Sequence, residues 1–307
     1  MCVTFEPAEL SDTTLYIGEC IHPSHGLIHV VGYQNHVKNT SPGANCMLLH
    51  FPCATPMKPE NALDCFATPT ILEDMRQALQ SSTLDNLFEM PEDWSDEVHV
   101  FDVGSYTVVM SSSPNQIPQA LELVPENRRP ALNIEIFDWY QENFKGFSVA
   151  LCCFESQIDQ ASEPLLWWYK PLRTDILTAP AIDSHDGHAP KPGVDVDVNH
   201  HLIVSLPEWC QELEVQEPGA LRELSIIDLT EDGEDLADRD SEGSKVYYSD
   251  QISDLLRPLL PSHVVGHEFS GQMANGDFHI ARQGLTPETL FENTYRFADT
   301  KINAHVD

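Results

Sequence analysis

At 307 residues and 41% hydrophobic content, the chain is long enough to bury a sizeable core as one large domain or two ordinary ones. Its formal net charge is -33, from 49 acidic residues against 16 Lys plus Arg, which weighs against nucleic acid and anionic membranes as partners. Three readings of the acidity stay open: a well-solvated surface, a mimic of nucleic-acid charge, or a binder of cations or basic proteins.

In chain order, Thr13 to Cys20 and Leu27 to His36 are β-rich runs joined by a short connection with Pro23 and Gly26, which predicts a hairpin. Cys46 to Phe51 follows a Ser41-Pro-Gly turn and is expected to pair beside that hairpin. Pro52 to Pro69 should be irregular, because Pro56 and Pro59 remove ladder donors. Thr70 to Leu79 carries Ile71, Leu72, Met75, Ala78 and Leu79 at helical spacing, with Thr70 and Glu73 placed as a capping box. Val98 to Met110 is strand-like and broken at Gly104. A short helix is expected from Ser113 and a longer one from Ala131 to Phe144.

Phe147 to Phe154 and Pro164 to Tyr169 are apolar runs bounded by polar turns, as in strands buried on both faces at the middle of a sheet. They lead into a polar strip that holds Asp183, His185, Asp186 and His188, then Asp195, Asp197, His200 and His201. Leu202 to Leu206 continues as a strand. From Glu208 to Glu242 there are thirteen acids against Arg222 and Arg239, and residues 208–245 are expected to form a flexible acidic insertion. Beyond it, a helix is expected over Tyr248 to Leu260. A second hairpin is expected from Val264 to Phe269 and Asp277 to Arg282 around Asn275-Gly276, and a helix start at Thr286-Pro. Strands and helices do not alternate regularly. The expected fold is therefore α+β, a mainly antiparallel sheet with helices packed on it, in one domain over 1–307.

The polar strip is the first candidate site. Asp183 and His185 share a face of an extended chain, as do Asp195 and Asp197, so two such pairs could hold a water or a divalent ion. His185, Asp186 and His188 are the candidate acid-base groups, and Asp183, His185, Asp195 and His200 the candidate metal ligands. Cys2 is the second candidate: exposed by removal of Met1, its own amine could serve as general base for the thiol. At that one residue the chain resembles N-terminal-nucleophile hydrolases and glutamine amidotransferases, although the Gly-Ile that commonly follows the cysteine is Val3-Thr4 here. Cys152 and Cys153 point to opposite faces of one strand and are expected to be core. His22, His25 and His29 are read as a solvated turn, and Trp167-Trp168-Tyr169 as core aromatics.

Ile226, Ile227 and Leu229 followed by acids resemble a SUMO-interacting motif, which implies strand addition to a partner's sheet edge with the acids against a basic rim. The eight cysteines form no CxxC pair, which points to reduced thiols. No basic leader and no long apolar run is present, so a soluble, cytoplasmic protein is expected. Two functions follow: a hydrolase-like enzyme with a His/Asp-lined site, or a non-enzymatic protein that binds a basic or strand-accepting partner through its acidic segment.

Overall fold

The computed structural model describes residues 3–65, 68–80, 98–209, 244–246, 248, 252, 256–286, 289–290 and 294–297. In chain order the first strands are β1 (Val3–Thr4), β2 (Ala8–His22), β3 (Gly26–Asn39), β4 (Asn45–Phe51) and β5 (Ala62–Leu63). Helix α1 (Ile71–Gln80) precedes β6 (His99–Val103) and β7 (Tyr106–Ser111), and α2 (Ile117–Ala120) and α3 (Ile134–Asn143) follow. Then come β8 (Ser148–Phe154), β9 (Asp159–Ala161), β10 (Leu165–Tyr169), β11 (Ile176–Ala179) and β12 (Asp195–Ser205). The last are β13 (Ser244–Lys245), β14 (His263–Ala274), β15 (Asp277–Ala281) and β16 (Thr294–Phe297).

These strands build three sheets: five strands in the order β1-β4-β8-β7-β6, eight in the order β13-β14-β12-β2-β3-β10-β5 with β9 on β3, and three in the order β11-β15-β16. Among the described strands all pairings are antiparallel except β12 with β2, which run parallel from His200↔Thr13 to Ser205↔Gly18; the isolated bridge of Val3 to Ser184 is also parallel. The α+β, mainly antiparallel expectation holds.

Side-chain alternation explains the layering. Ala150, Cys152 and Phe154 of β8 share one buried cluster with Leu15 and Ile17 of β2, Leu165 and Trp167 of β10, and Leu202 and Val204 of β12. This cluster lies between the two large sheets. The alternate residues of β8, Val149, Leu151 and Cys153, face a second cluster with Ile117 and Ala120 of α2 and Ile136, Phe137 and Tyr140 of α3. Cys152 and Cys153 therefore enter different cores, as their adjacency predicts. The outer face of the eight-stranded sheet packs Tyr16, Val30, Leu166 and Ile203 against Ile71, Leu72 and Met75 of α1.

The first hairpin forms, from Ala8↔Asn39 to His22↔Gly26. Several pairings differ from expectation. β4 does not join that hairpin; it pairs with β1 and β8 in the other sheet, because its seven residues are all buried and need cover on both faces. The two apolar runs, β8 and β10, are interior strands of different sheets. β14 and β15 do not form a hairpin: Asn275 bonds backbone to backbone with Gly193 and Val194, and the chain crosses there from one sheet to another. Of the helix expected over 248–260, the described residues show only a 3-10 turn, Arg257–Leu259. Most of the acidic insertion, with Ile226, Ile227 and Leu229, lies outside the described residues. Among the described residues no helix is long and apolar enough to cross a membrane.

Candidate functional site

The polar strip joins the end of β11 to the start of β12, and its backbone is held at nearly every residue. Asp277 Oδ1 accepts the N–H groups of Ala181 (2.8 Å) and Ile182 (3.0 Å). Asn275 accepts the Asp183 N–H at 2.8 Å and donates to the Asp183 carbonyl at 2.7 Å. Thr4 N–H donates to the Ser184 carbonyl, and Ala8 N–H to that of His185. Asn133, which caps α3 by accepting the Ile136 N–H, also donates to the carbonyls of Phe5 and Gly187. Gly187 has φ 79°, and a Cβ there would stand 3.2 Å from the Phe5 carbonyl, so this turn accepts no other residue without strain.

A cavity of about 340 Å³ opens on this frame. Its polar wall is Asp183, Ser184, His185, Asp186, His188 and Lys191; Ala189, Val194 and Val196 form an apolar side, and Asn275 completes it. His185 Nε2 stands 2.8 Å from Asp183 Oδ1, and both side chains are largely buried. Neither atom is aligned in a hydrogen bond with a partner. Asp186 Oδ1 accepts the Ser184 hydroxyl (3.0 Å) and the His188 N–H (3.1 Å). Partial burial opposes the charge, but these donors and His188 hold the Asp186 carboxyl below its ordinary value. Glu135, in the first turn of α3, accepts the Ala189 N–H at 3.0 Å, lies 3.5 Å from His188 Nδ1, and is likewise held low, chiefly by that N–H.

The expected site residues divide. Asp183, His185, Asp186 and His188 line one cavity, whereas Asp195 is exposed at the start of β12 and is not part of its wall. His200 lies five residues further along that strand, on the order of 16 Å away, fully buried with its ring edge-on to Phe278. Among the described residues no group of three His, Cys, Asp or Glu side chains is placed to hold a metal ion. Cys2 lies outside the described residues; Val3, next to it in sequence, bridges Ser184 of the strip. His22 and His25 stack with Trp168, while His29, three residues past the start of β3, is buried against Glu19.

Sequence reasoning missed Lys191, Asn275 and Glu135 around the cavity, and the buried pair beneath it. His50 Nε2 lies 2.7 Å from Asp277 Oδ2, with His50 stacked on Phe144 at 3.7 Å. Burial alone would raise the Asp277 carboxyl; the adjacent His50 reverses that, and the carboxyl is held well below its usual range. One signal was available: a histidine inside Met47-Leu-Leu-His-Phe51, a run otherwise apolar, needs a buried partner.

No protein-family model matches the chain. No curated protein matches it by sequence. Among solved structures, the chain is similar to the crystal structure of baculovirus P35, at 13% identity and a TM-score of 0.40, over 97% of this chain and 94% of that one. A likeness this distant says nothing about chemistry.

Proposed function

We propose that the chain is a non-enzymatic interaction protein whose acidic segment engages a basic, strand-accepting protein partner. The observation that carries the reading is where the segment is rooted. It leaves the 3-10 turn Pro207–Trp209 that follows β12 and returns into β13, the terminal strand of the eight-stranded sheet. The root is tied down: Arg282 bonds Glu208 at 2.5 Å and Glu19 at 2.9 Å. Between those roots run twelve acids, the string Ile226, Ile227 and Leu229, and only two arginines. A strand-forming string flanked by acids suits addition to a sheet edge with a basic rim.

The test is calorimetric titration of the full chain with purified SUMO, a strand-accepting domain with a basic rim. Binding is expected, weakening as salt rises, and Ile226→Asp, Ile227→Asp and Leu229→Asp together should abolish it. No binding by the unaltered chain, or equal binding by the triple variant, would end the reading.

A second reading, a hydrolase-like activity, is favoured by Asp183 and His185 meeting in one cavity. The Ser184 hydroxyl is engaged with Asp186 and the His188 carbonyl, so His185 would have to activate a water. A panel of ester, peptide and phosphate substrates tests this; turnover lost in His185→Ala would support it, and no turnover would dispose of it.

A further inference from the structure

We propose that Cys46 and Cys153 form a site of oxidative modification, closing into a disulfide across β4 and β8 when the chain meets a disulfide oxidant such as glutathione disulfide. The inference does not draw on the partner reading. The two residues face each other directly in the antiparallel register of β4 and β8. Both side chains are fully buried on one side of the five-stranded sheet, in the cluster that also holds Val109, Val149 and Leu151. Cys152, next in sequence to Cys153, faces Met47 and the opposite core. Among the described residues no other two cysteines are register partners.

The kind of antiparallel position decides whether a bridge can close. In a hydrogen-bonded pair each residue turns its N–H to the other strand; in a non-hydrogen-bonded pair both turn away, and the side chains stand closer. Two bonds identify the position. The Cys46 N–H donates to Asn45 Oδ1, and that side-chain amide also bonds the N–H and carbonyl of Glu6, on the β1 side of β4. It therefore points away from β8. On the other edge, the Thr4 N–H donates to the Ser184 carbonyl, outward from β4. Its register partner Met47 accordingly turns its own N–H to β8, and the next position along, Cys46 opposite Cys153, is non-hydrogen-bonded. Such a pair has its Cα atoms about 4.5 Å apart, inside the span of about 4.4–6.8 Å that a disulfide bridges.

Once the sheet is closed, burial raises the Cys153 thiol and excludes a bulky oxidant, so exchange belongs to moments when β4 and β8 part. One thiolate attacks glutathione disulfide and releases a first glutathione. The second thiolate attacks the protein sulfur of the mixed disulfide and releases the other. Two protein thiols are thereby oxidised, one glutathione disulfide is reduced to two glutathiones, and the two thiol protons pass to them. The bridge closes a loop of about a hundred residues and should lower the ratio of unfolded to folded chain about a thousandfold.

The experiment holds the full chain with glutathione disulfide in urea just below its unfolding midpoint, returns it to buffer, alkylates it in denaturant and maps it by peptide mass. A Cys46–Cys153 linkage, lighter by two hydrogens, is the expected product. The bridged chain should then unfold at higher urea than the same chain after reduction. Cys46→Ala should abolish the linkage and Cys152→Ala should preserve it, with circular dichroism showing that each is folded. Cys46 and Cys153 still alkylated after the exchange, or Cys153 joined to any other cysteine, would overturn the site. A bridged chain that unfolds at lower urea than the reduced one would mean that the register rejects the bond, and would overturn it as well. The map is made on the unaltered chain, so the outcome stands even where a variant fails to fold.

Discussion

His29 gives the most quantitative handle on this fold. It is 1% exposed on β3, its Nε2 is 3.9 Å from Glu19 Oε1, and Arg282 holds the other oxygen of that carboxylate. Burial, with the guanidinium of Arg282 adding to it, lowers the imidazole from 6.5 to about 4. The fold therefore prefers the neutral ring, and the unfolded chain takes up the proton first. Stability is complete above the ordinary value and falls as the pH drops from 6.5 toward 4. The full loss is about 3 kcal/mol, and about 2 kcal/mol of it is reached by pH 5. Urea denaturation of the unaltered chain and of His29→Gln at pH 7 and pH 5 isolates this contribution, because every other titrating group is common to both. The unaltered chain should lose about 2 kcal/mol more than the variant over that interval. Parallel losses would refute the reasoning, whatever the variant costs at pH 7. The groups that face the ring are Glu19 from β2, Arg282 after β15 and Tyr169 from β10, whose ring is edge-on at 5.7 Å.

Two further tests address the buried groups. Asp277→Ala leaves the N–H groups of Ala181 and Ile182 and the His50 ring without their acceptor, and should cost about 3–5 kcal/mol in chemical denaturation. Asp277→Asn keeps an acceptor for the two N–H groups and should cost clearly less; equal losses would show that the carboxylate does not hold the strip. Burial raises the thiols of Cys65 and Cys153, the latter to about 12. Both should resist an alkylating reagent at pH 8 in the native protein and label only on unfolding, as read by peptide mass mapping. Native labelling of either would mean that the packing around it opens.

Local pattern made β2, β3, β8 and α3 legible, because their periodicities and turns are written within a few residues. Asn133, just ahead of the apolar stripe of α3, even caps it by accepting the Ile136 N–H. What local pattern could not supply was strand partnership. β4 reads as an apolar run wherever it sits, and nothing near it says that β8, about a hundred residues later, is its neighbour. The Asn275-Gly276 pair has the composition of a hairpin turn, yet both the backbone and the side chain of Asn275 are used by other loops, and this sends the chain across to a different sheet. At the strip, the sequence placed Asp183, His185, Asp186 and His188 together because they are neighbours in the chain. It added Asp195 and His200 on the same ground, and the rise of β12 carries His200 out of range. The cradle of Asn275 and Asp277 could not be seen, since its partners lie about ninety residues earlier.

The parallel contact of β12 with β2 has a consequence for the order of folding. β2 and β3 can zip as a hairpin once residue 39 is available, but the other edge of β2 stays bare until residues 200 to 205 arrive. β1 closes on β4 early, while its bridge to Ser184 is a distant contact as well. Closing such loops is slow, and an unpaired strand edge is adhesive while it waits. The opening strands are thus the first made and among the last completed. During synthesis, the bare edge of β2 is a place where this chain is open to pairing with a second copy of itself.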